Sequence, residues 1–371
     1  MIERKKVTFV INNLINGGAE KILVNVLNNL DLSKIEPTLF LFEKEGNYLN
    51  DLNTNIRVEY GCLPQKVSKG KLAMVKKFAL RATVGINKLS KVIEDQDLVV
   101  AFLEKGVTYF TAEACRRAKK PFYSWIHTNL DDKLGGVNQQ LSTWAYKRAK
   151  KVVCVSNECE QLAIKKVNCL ENKIITIYNP IDIKAIIEKG SQPVESFNML
   201  AGQNIIAIGR LSHEKGFDIL ISAFQKVYQE KMDVNLIILG EGPERAALEK
   251  QANDLGISER VQMPGFVSNP YAILEKSDVF VLSSRYEGLS TVLIEALSLN
   301  KAIVSTKCSG AAEILCDGQY GRLVEINDVE SLTNGIKEAL AVNEKIDCSL
   351  RANIFDKKKI MREIEEILLE K

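Results

Sequence analysis

The stretch that decides the fold is Val279-Phe-Val-Leu-Ser-Ser-Arg-Tyr-Glu-Gly-Leu-Ser-Thr-Val-Leu-Ile-Glu295. It opens with four apolar residues of the kind that fill a buried strand. From Ser290 onward, apolar side chains recur at helical spacing, and the Ser290 hydroxyl can cap the first turn. A buried strand that leads directly into a helix predicts a βαβ unit of a parallel sheet.

Two carboxylates in this stretch, Glu287 and Glu295, are eight residues apart and flank the predicted helix start. Glu287 lies in the turn and Glu295 about a turn and a half inside the helix. The amides of Gly288, Leu289 and Ser290 lie at the positive end of the helix dipole, which favours an anion. Two hydroxyl-binding carboxylates around a phosphate site suit a nucleotide-sugar. The alternative is a pair of solvated surface charges.

Short strands alternate with helical patterns along all 371 residues, which predicts an α/β protein with two doubly wound, Rossmann-like domains facing across a cleft. We expect the domains to span residues 1–185 and 200–354, with the last helix, 355–371, packing back on the first domain. The predicted strands are Val7–Ile11, Thr38–Phe42, Leu98–Phe102, Phe122–Ile126, Val152–Val155, Ile174–Ile177, Asn204–Ile208, Asn235–Leu239, Val279–Leu282, Ala302–Ser305 and Leu323–Ile326.

The composition narrows the function. A net charge of +3 without a recognisable nucleic-acid motif gives no reason to expect a nucleic-acid partner. The chain has two histidines and no Cys-x-x-Cys pair among its eight cysteines, so we expect no metal site. The N-terminus lacks the apolar core of a signal peptide, and no apolar run is long enough to span a membrane. We therefore expect a cytoplasmic protein.

Two cations follow the first strand of the second domain. Arg210 and Lys215 are five residues apart, at the carboxyl edge of the sheet, where α/β proteins bind ligands. An Arg fork suits phosphate oxygens, so we expect the pair to bind a diphosphate. The alternative is a solvated loop.

Two further turns of the second domain are candidate ligand contacts. Gly240 follows the next strand, where glycine lets a ligand approach the backbone, although a plain tight turn explains it equally well. Phe266 and Val267 follow a third strand and are candidates to line a base pocket with main-chain groups.

In the first domain, Gly17 and Gly18 lie between the first strand and the first helix and resemble a phosphate-binding turn, although turns need glycine anyway. His127 ends the strand Phe122–Ile126 at the carboxyl edge, where it is a fair donor to a sugar hydroxyl.

Residues 60–93 contain cations and no Asp or Glu, interleaved with apolar side chains. This pattern predicts a basic amphipathic helix that can lie on an anionic membrane surface. The alternative is a core helix with a solvated basic face. The basic residues are Lys66, Lys69, Lys71, Lys76, Lys77, Arg81, Lys88 and Lys91.

Taken in order, the motifs resemble those of the GT-B-fold retaining glycosyltransferases of family 4, the group 1 type. The resemblance covers nearly the whole chain and is most specific between Gly202 and Val324. The shared motifs are the glycine turn with Glu20, Gly-Arg-Leu-x3-Lys-Gly, Gly-x-Gly-Pro, Gly-Phe-Val and the Glu-x7-Glu pair.

The resemblance implies roles. Glu287 contacts the donor sugar's hydroxyls, Glu295 holds the ribose, and Arg210 and Lys215 bind the diphosphate. His127 contacts the donor sugar near its 6-position, and the glycine turn lies by the phosphates or the acceptor. The residues implied in catalysis are Glu287, His127, Arg210 and Lys215.

The implied reaction transfers a hexose or N-acetylhexosamine, with retention, from a UDP-sugar to a glycan acceptor, lipid-linked by expectation, in cell-surface polysaccharide (lipopolysaccharide or capsule) synthesis. Neither metal nor other cofactor is expected, and the location would be peripheral, on the inner face of the plasma membrane. Two alternatives stay open. A same-fold sugar-nucleotide epimerase would turn over without acceptor, and a non-catalytic nucleotide-sugar-binding partner subunit would bind donor without turnover.

Overall fold

The computed structural model describes residues 3–15, 17–63, 78–128, 137–167, 170–194, 197–230, 233–342 and 346–370. The chain divides into two compact units. Unit 1 comprises Met1–Pro180 with Lys358–Lys371, and unit 2 comprises Ile181–Lys357. Each unit contains one parallel sheet with helices, so the predicted pair of doubly wound α/β folds is confirmed.

Unit 1 contains a seven-stranded sheet in the order β3-β2-β1-β4-β5-β6-β7. Its strands are β1 (Lys5–Ile11), β2 (Ile35–Glu43), β3 (Arg57–Leu63), β4 (Leu98–Ala101), β5 (Phe122–Ile126), β6 (Lys151–Cys154) and β7 (Ile174–Thr176). Its main helices are Gly18–Asn29, Ile86–Val92, Gly106–Ala118, Val137–Arg148 and Asn157–Lys166, with most of Lys357–Leu369. Successive residues of β1 from Val7 to Ile11 are all buried, because helices cover both faces of a parallel sheet.

Unit 2 contains a six-stranded parallel sheet in the order β10-β9-β8-β11-β12-β13. Its strands are β8 (Gln203–Ile208), β9 (Val234–Leu239), β10 (Val261–Gly265), β11 (Val279–Leu282), β12 (Ala302–Thr306) and β13 (Arg322–Val324). Its helices are Ile183–Gly190, Phe217–Glu230, Arg245–Asp254, Pro270–Lys276, Thr291–Ser298, Ala311–Ile314, Val329–Ala341 and Ser349–Ala352.

The strand order reverses at one place in each sheet. In unit 1 the central neighbours are β1 and β4, and in unit 2 they are β8 and β11. On either side of such a switch point, the connections leave toward opposite faces and open a crevice at the carboxyl ends of the strands. This rule predicts a ligand crevice at the switch point of each sheet, lined by the loops that follow these strands.

The edge strand β3 was not predicted from the sequence. Its residues include the exposed Arg57 and the partly exposed Glu59, and an edge strand that carries charges lacks the continuous apolar run of the central strands. As a result, residues 60–63 are strand rather than the start of the basic amphipathic helix.

Most of that basic segment, residues 64–77, lies outside the described residues. Of its basic residues, Arg81, Lys88 and Lys91 are described. Arg81 does not present its charge to solvent, because its guanidinium pairs at 2.8 Å with Glu43, whose side chain is almost fully buried. Among the described residues, no helix is both long and apolar enough to cross a bilayer.

The helix Lys357–Leu369 supplies a first prediction, because its side chains Ile360, Ile364 and Leu368 are buried and the Tyr123 hydroxyl donates to the carbonyl of Ile367 at 3.3 Å. We expect Leu368→Ala to lower the free energy of unfolding by about 2–5 kcal/mol, as for other fully buried leucines. Chemical denaturation of the whole chain measures this loss. The exposed Glu366→Ala in the same helix is the control, and an equal effect of both would contradict the packing.

Candidate functional site

The crevice of unit 2 is lined by the loops that follow β8 and β11, and an ion pair joins them. The Lys215 ammonium donates to Glu287 Oε1 at 2.6 Å, with the two side chains only 21% and 12% exposed. The Ser284 hydroxyl donates to the same oxygen at 2.7 Å. The structure therefore brings together the cation and the first carboxylate that the sequence singled out, at the switch point of the sheet.

Arg210, from the same loop as Lys215, is exposed. Among the described residues its guanidinium forms no ion pair within 4.0 Å. Burial acts to raise the pKa of Glu214, but its side-chain hydrogen bond with Ser212 and, to a smaller extent, the charge of Arg210 hold that pKa below its usual value. Arg210 therefore lies close to Glu214. An Arg at a strand end, with its fork available, suits bidentate binding of an anion.

The predicted helix start is confirmed, since the helix runs Thr291–Ser298 with Ser290 at its N-cap. The predicted capping bond is wrong, because the Ser290 hydroxyl makes no bond to the backbone of the first turn. That hydroxyl is buried and has no hydrogen-bond partner within the described part of the chain. With Gly288 and Leu289, it leaves donors at the positive end of a helix.

Glu295 lies inside this helix, 9% exposed, and its Oε1 accepts a hydrogen bond from the Tyr271 hydroxyl at 3.2 Å. Burial raises the pKa of Tyr271, and the neighbouring carboxylate raises it further. The phenol therefore stays protonated and orients Glu295 as a donor. No sequence pattern pointed to Tyr271, which is 24 residues from Glu295 along the chain.

The requirement for glycine at position 240 has a structural cause. Gly240 has φ +139°, and a Cβ there would lie 1.9 Å from the carbonyl oxygen of Gly209 in the loop after β8. The close neighbour is thus the backbone of the cation-bearing loop. Phe266 and Val267 follow β10, and Phe266 exposes 83% of its surface.

Unit 1 presents His127 at the end of β5. Its side chain is 7% exposed and packs on Phe102, with ring centroids 4.7 Å apart. Glu104 accepts the backbone N–H of His127 at 3.1 Å and the Thr128 hydroxyl at 2.9 Å. Burial lowers the pKa of His127 to about 4, against the attraction of Glu104. The imidazole is therefore neutral at pH 7, and its Nε2 has no partner within the described residues.

The helix after the glycine turn begins at Gly18, with Gly17 at its N-cap. The space beside Gly17 is occupied by the chain's own carboxylate, because a Cβ on Gly17 would lie 1.8 Å from Glu20 Oε2. Burial raises the pKa of Glu20, and the charge of Glu104 adds to the effect. A phosphate at this helix start would meet a carboxylate, whereas a hydroxyl would find an acceptor.

The predicted site residues thus form two groups. Unit 2 holds the ion pair, Arg210, the helix start and Glu295, while unit 1 holds His127 and the glycine turn. Sequence reasoning missed Tyr271, Ser284 and Glu104, and it included Glu20 only as part of the glycine-turn motif, without a role. Glu104 was detectable in principle, since it follows β4 at the carboxyl edge as His127 follows β5.

Fold and site define a doubly wound α/β protein with ligand groups at the carboxyl ends of its strands. Residues 16–185 match the family model "Glycosyltransferase Family 4", and residues 200–354 match "Glycosyl transferases group 1". The chain belongs to the group 1 glycosyltransferases with the GT-B fold.

Relatives agree. The Campylobacter jejuni N-acetylgalactosamine-N,N'-diacetylbacillosaminyl-diphospho-undecaprenol 4-alpha-N-acetylgalactosaminyltransferase is 28% identical, with alignment over 98% of this chain and 100% of the relative. The Rhizobium meliloti lipopolysaccharide core biosynthesis glycosyltransferase LpsE is 35% identical over 41% of this chain and 42% of its own. The crystal structure of Anabaena HepE has a TM-score of 0.79 at 22% identity, covering 98% of this chain and 99% of that one.

The close approach of the two loops in unit 2 is testable with two glycines of similar left-handed backbone. Gly216 has φ +64°, and a Cβ there would lie 2.1 Å from the Ser283 carbonyl, whereas Gly256, with φ +70°, has open space. We expect Gly256→Ala to cost about 1 kcal/mol of backbone strain. Gly216→Ala should cost more and displace the loop that carries Lys215. Thermal denaturation of both variants checks this, and equal losses would contradict the contact.

The depressed pKa of His127 predicts a pH dependence of stability. The unfolded chain takes up a proton near pH 6.5, but the folded one only near pH 4. The free energy of unfolding therefore falls as pH drops from 6.5 toward 4, by at most about 3 kcal/mol. The measurement is the wild-type minus His127→Gln difference at several pH values. The exposed His213→Gln is the control, and an identical pH slope in wild type and His127→Gln would contradict the burial argument.

Proposed function

We propose that this glycosyltransferase transfers a hexose or N-acetylhexosamine from a UDP-sugar to a lipid-linked glycan, with retention of anomeric configuration. The observation that carries the proposal is the Lys215–Glu287 pair at the β8–β11 switch point, 2.6 Å apart and largely buried. A ligand with a phosphate and an adjacent sugar hydroxyl supplies a partner for each member of the pair.

The donor's placement follows from the order of groups in unit 2. The diphosphate would bind Arg210, Lys215 and the amides of residues 288–290, where cations and a helix start converge. The ribose hydroxyls would bind Glu295, which Tyr271 orients. The base would lie along residues 266–267. Anabaena HepE, which shares the fold, has been crystallised with UDP and with UDP-glucose, and this supports the choice of UDP.

In the proposed reaction, the bond between the anomeric carbon and the phosphate oxygen breaks, and its electron pair stays on the phosphate. Arg210, Lys215 and the helix amides stabilise that charge. The acceptor oxygen bonds to the anomeric carbon from the same face, and its proton passes to the leaving phosphate oxygen. Glu287 holds a sugar hydroxyl and stabilises the positive charge of the transition state.

Nearby groups fit this assignment. Cys308 is buried, and burial together with the charge of Glu287 raises the pKa of its thiol to about 12, so it stays protonated and is a poor nucleophile. Positive charge for the leaving group is available from Arg210 and Lys215, and we therefore propose that the reaction requires neither metal nor cofactor.

We assign the acceptor to unit 1. Glu20 and Glu104 at its carboxyl edge favour hydroxyl groups, and the neutral His127 can hydrogen-bond a sugar without adding charge. The C. jejuni relative is named for transfer to a diphospho-undecaprenol-linked sugar, which supports a lipid-linked acceptor. Such an acceptor would hold the enzyme at a membrane surface, and we include this peripheral location, and a role in lipopolysaccharide or related polysaccharide assembly, in the proposal.

The experiment is a matrix of UDP- and GDP-hexoses and N-acetylhexosamines against undecaprenyl-diphosphate-linked glycans, with and without EDTA. The expected result is acceptor-dependent release of UDP, unaffected by EDTA, and a product whose NMR anomeric signal matches the donor's configuration. Epimerisation without acceptor, binding without turnover, or an inverted product would each overturn it.

The two glutamates should separate in kinetics. We expect Glu287→Gln to lower kcat by about 100-fold or more, because it removes charge that acts in the transition state. Glu295→Gln should weaken UDP binding by about tenfold or more, since a charge-assisted bond to the ribose is lost. Calorimetric UDP titration and steady-state rates measure both effects. The exposed Glu259→Gln is the control. Full activity of Glu287→Gln would contradict its assignment.

A further inference from the structure

Arg285 occupies a central place in the β11 loop, yet its contacts are with protein groups. We propose that Arg285, through Asp218, is a positioning residue that holds Lys215 against Glu287. The inference rests on the proposed function of that ion pair and extends it to a residue that does not itself contact the donor.

The guanidinium of Arg285 makes three hydrogen bonds to protein groups. Its Nη1 and Nη2 donate to the two carboxylate oxygens of Asp218 at 2.9 and 2.7 Å, and Nη1 also donates to the carbonyl of His213. Only 13% of the Arg285 side chain is exposed. An Arg next to a phosphate site would ordinarily be a candidate phosphate ligand, but here the fork is already matched by a carboxylate in bidentate geometry.

Asp218 is well suited to anchor it. It lies in the first turn of the helix Phe217–Glu230, where the helix dipole favours a carboxylate. Burial acts to raise the pKa of Asp218, but the hydrogen bonds and charge of Arg285 hold it below its usual value. The pair therefore remains ionised throughout the neutral range and is tied to a rigid element.

The backbone reinforces the same connection. Arg285 N–H donates to the Glu214 carbonyl at 2.8 Å, and the Ser283 hydroxyl donates to the Lys215 carbonyl at 2.8 Å. Residue 216 is a glycine whose Cα approaches the Ser283 carbonyl. Residues 283–285 therefore contact the chain on both sides of Lys215, within residues 213–218. The Arg285–Asp218 ion pair adds a side-chain interaction to these backbone contacts.

The consequence concerns the Lys215 side chain, which is long and has high rotamer entropy. Its ammonium lies 2.6 Å from Glu287 because the loops after β8 and β11 are held in a fixed position relative to each other. Misplacement of a catalytic group by about 1 Å can cost about 100-fold in rate. A merely structural Arg285 would affect stability alone, whereas a positioning residue must act through Lys215.

The test is a double-mutant cycle in the full chain. Arg285→Lys keeps the charge but loses the fork, and it is measured in the wild type and in Lys215→Ala. We expect Arg285→Lys to lower kcat/KM by roughly 10- to 100-fold in the wild type. In the Lys215→Ala background the further loss should be less than about twofold, because the group it positions is already absent. UDP affinity should show the same coupling.

Asp218→Asn provides a second route, since it removes the anchor's charge and changes the shape little. It should reproduce the loss of Arg285→Lys, with no additional loss when the two are combined. Arg322→Lys, in an ion pair with Glu338 elsewhere in unit 2, is the control and should leave kcat/KM unchanged. All rates are taken at a temperature where each variant is folded by circular dichroism.

The outcomes are distinguishable. Equal losses from Arg285→Lys with and without Lys215, or no loss from Arg285→Lys, overturn the positioning role and leave the proposed function intact. If Lys215→Ala itself changes neither transfer nor UDP affinity, the assigned role of Lys215 is wrong, and the positioning role falls with it.

Discussion

The interaction on which the site of unit 2 depends is the ion pair between Lys215 and Glu287, which joins the loops after two strands adjacent in the sheet but distant in sequence. Both loops leave the sheet at the place where the strand order reverses, so the topology creates the crevice and the pair spans it. A partly buried pair is retained only when its geometry and further hydrogen bonds are good. Ser284 provides one of these bonds, and the contacts of residues 283–285 with residues 213–218 fix the geometry.

Much of this arrangement follows from sequence patterns. Central strands such as β11 are continuous apolar runs, and β11 was predicted with its observed bounds, Val279–Leu282. The carboxyl-edge positions of Glu287, Lys215 and His127 follow once strands and helices alternate, because every parallel strand delivers its next residues to the same edge. The edge strand β3 was missed because it is exposed on one side and so lacks the apolar run.

What the sequence could not predict are side-chain directions and long-range pairs. Ser290 occupies its expected cap position, yet its hydroxyl leaves the backbone uncapped, a choice of rotamer that no pattern encodes. Glu20 folds back over Gly17, so a turn that resembled a phosphate site is already faced by a carboxylate. Asp218 and Arg285 are 67 residues apart, and their pairing becomes visible only when the two loops are placed side by side.

The largely buried ion pair also favours ligands that carry both a phosphate and a sugar hydroxyl over ligands that carry only one of them. If phosphate alone binds Lys215, the largely buried carboxylate of Glu287 loses its cation. If a free sugar alone binds Glu287, the ammonium of Lys215 loses its carboxylate in the same way. Each half-ligand therefore incurs the cost of an uncompensated charge. A molecule that carries phosphate and hydroxyl together exchanges both partners at once and avoids it. If the pair binds a sugar phosphate as proposed, it would discriminate against inorganic phosphate and free sugars before any contact with the base is made.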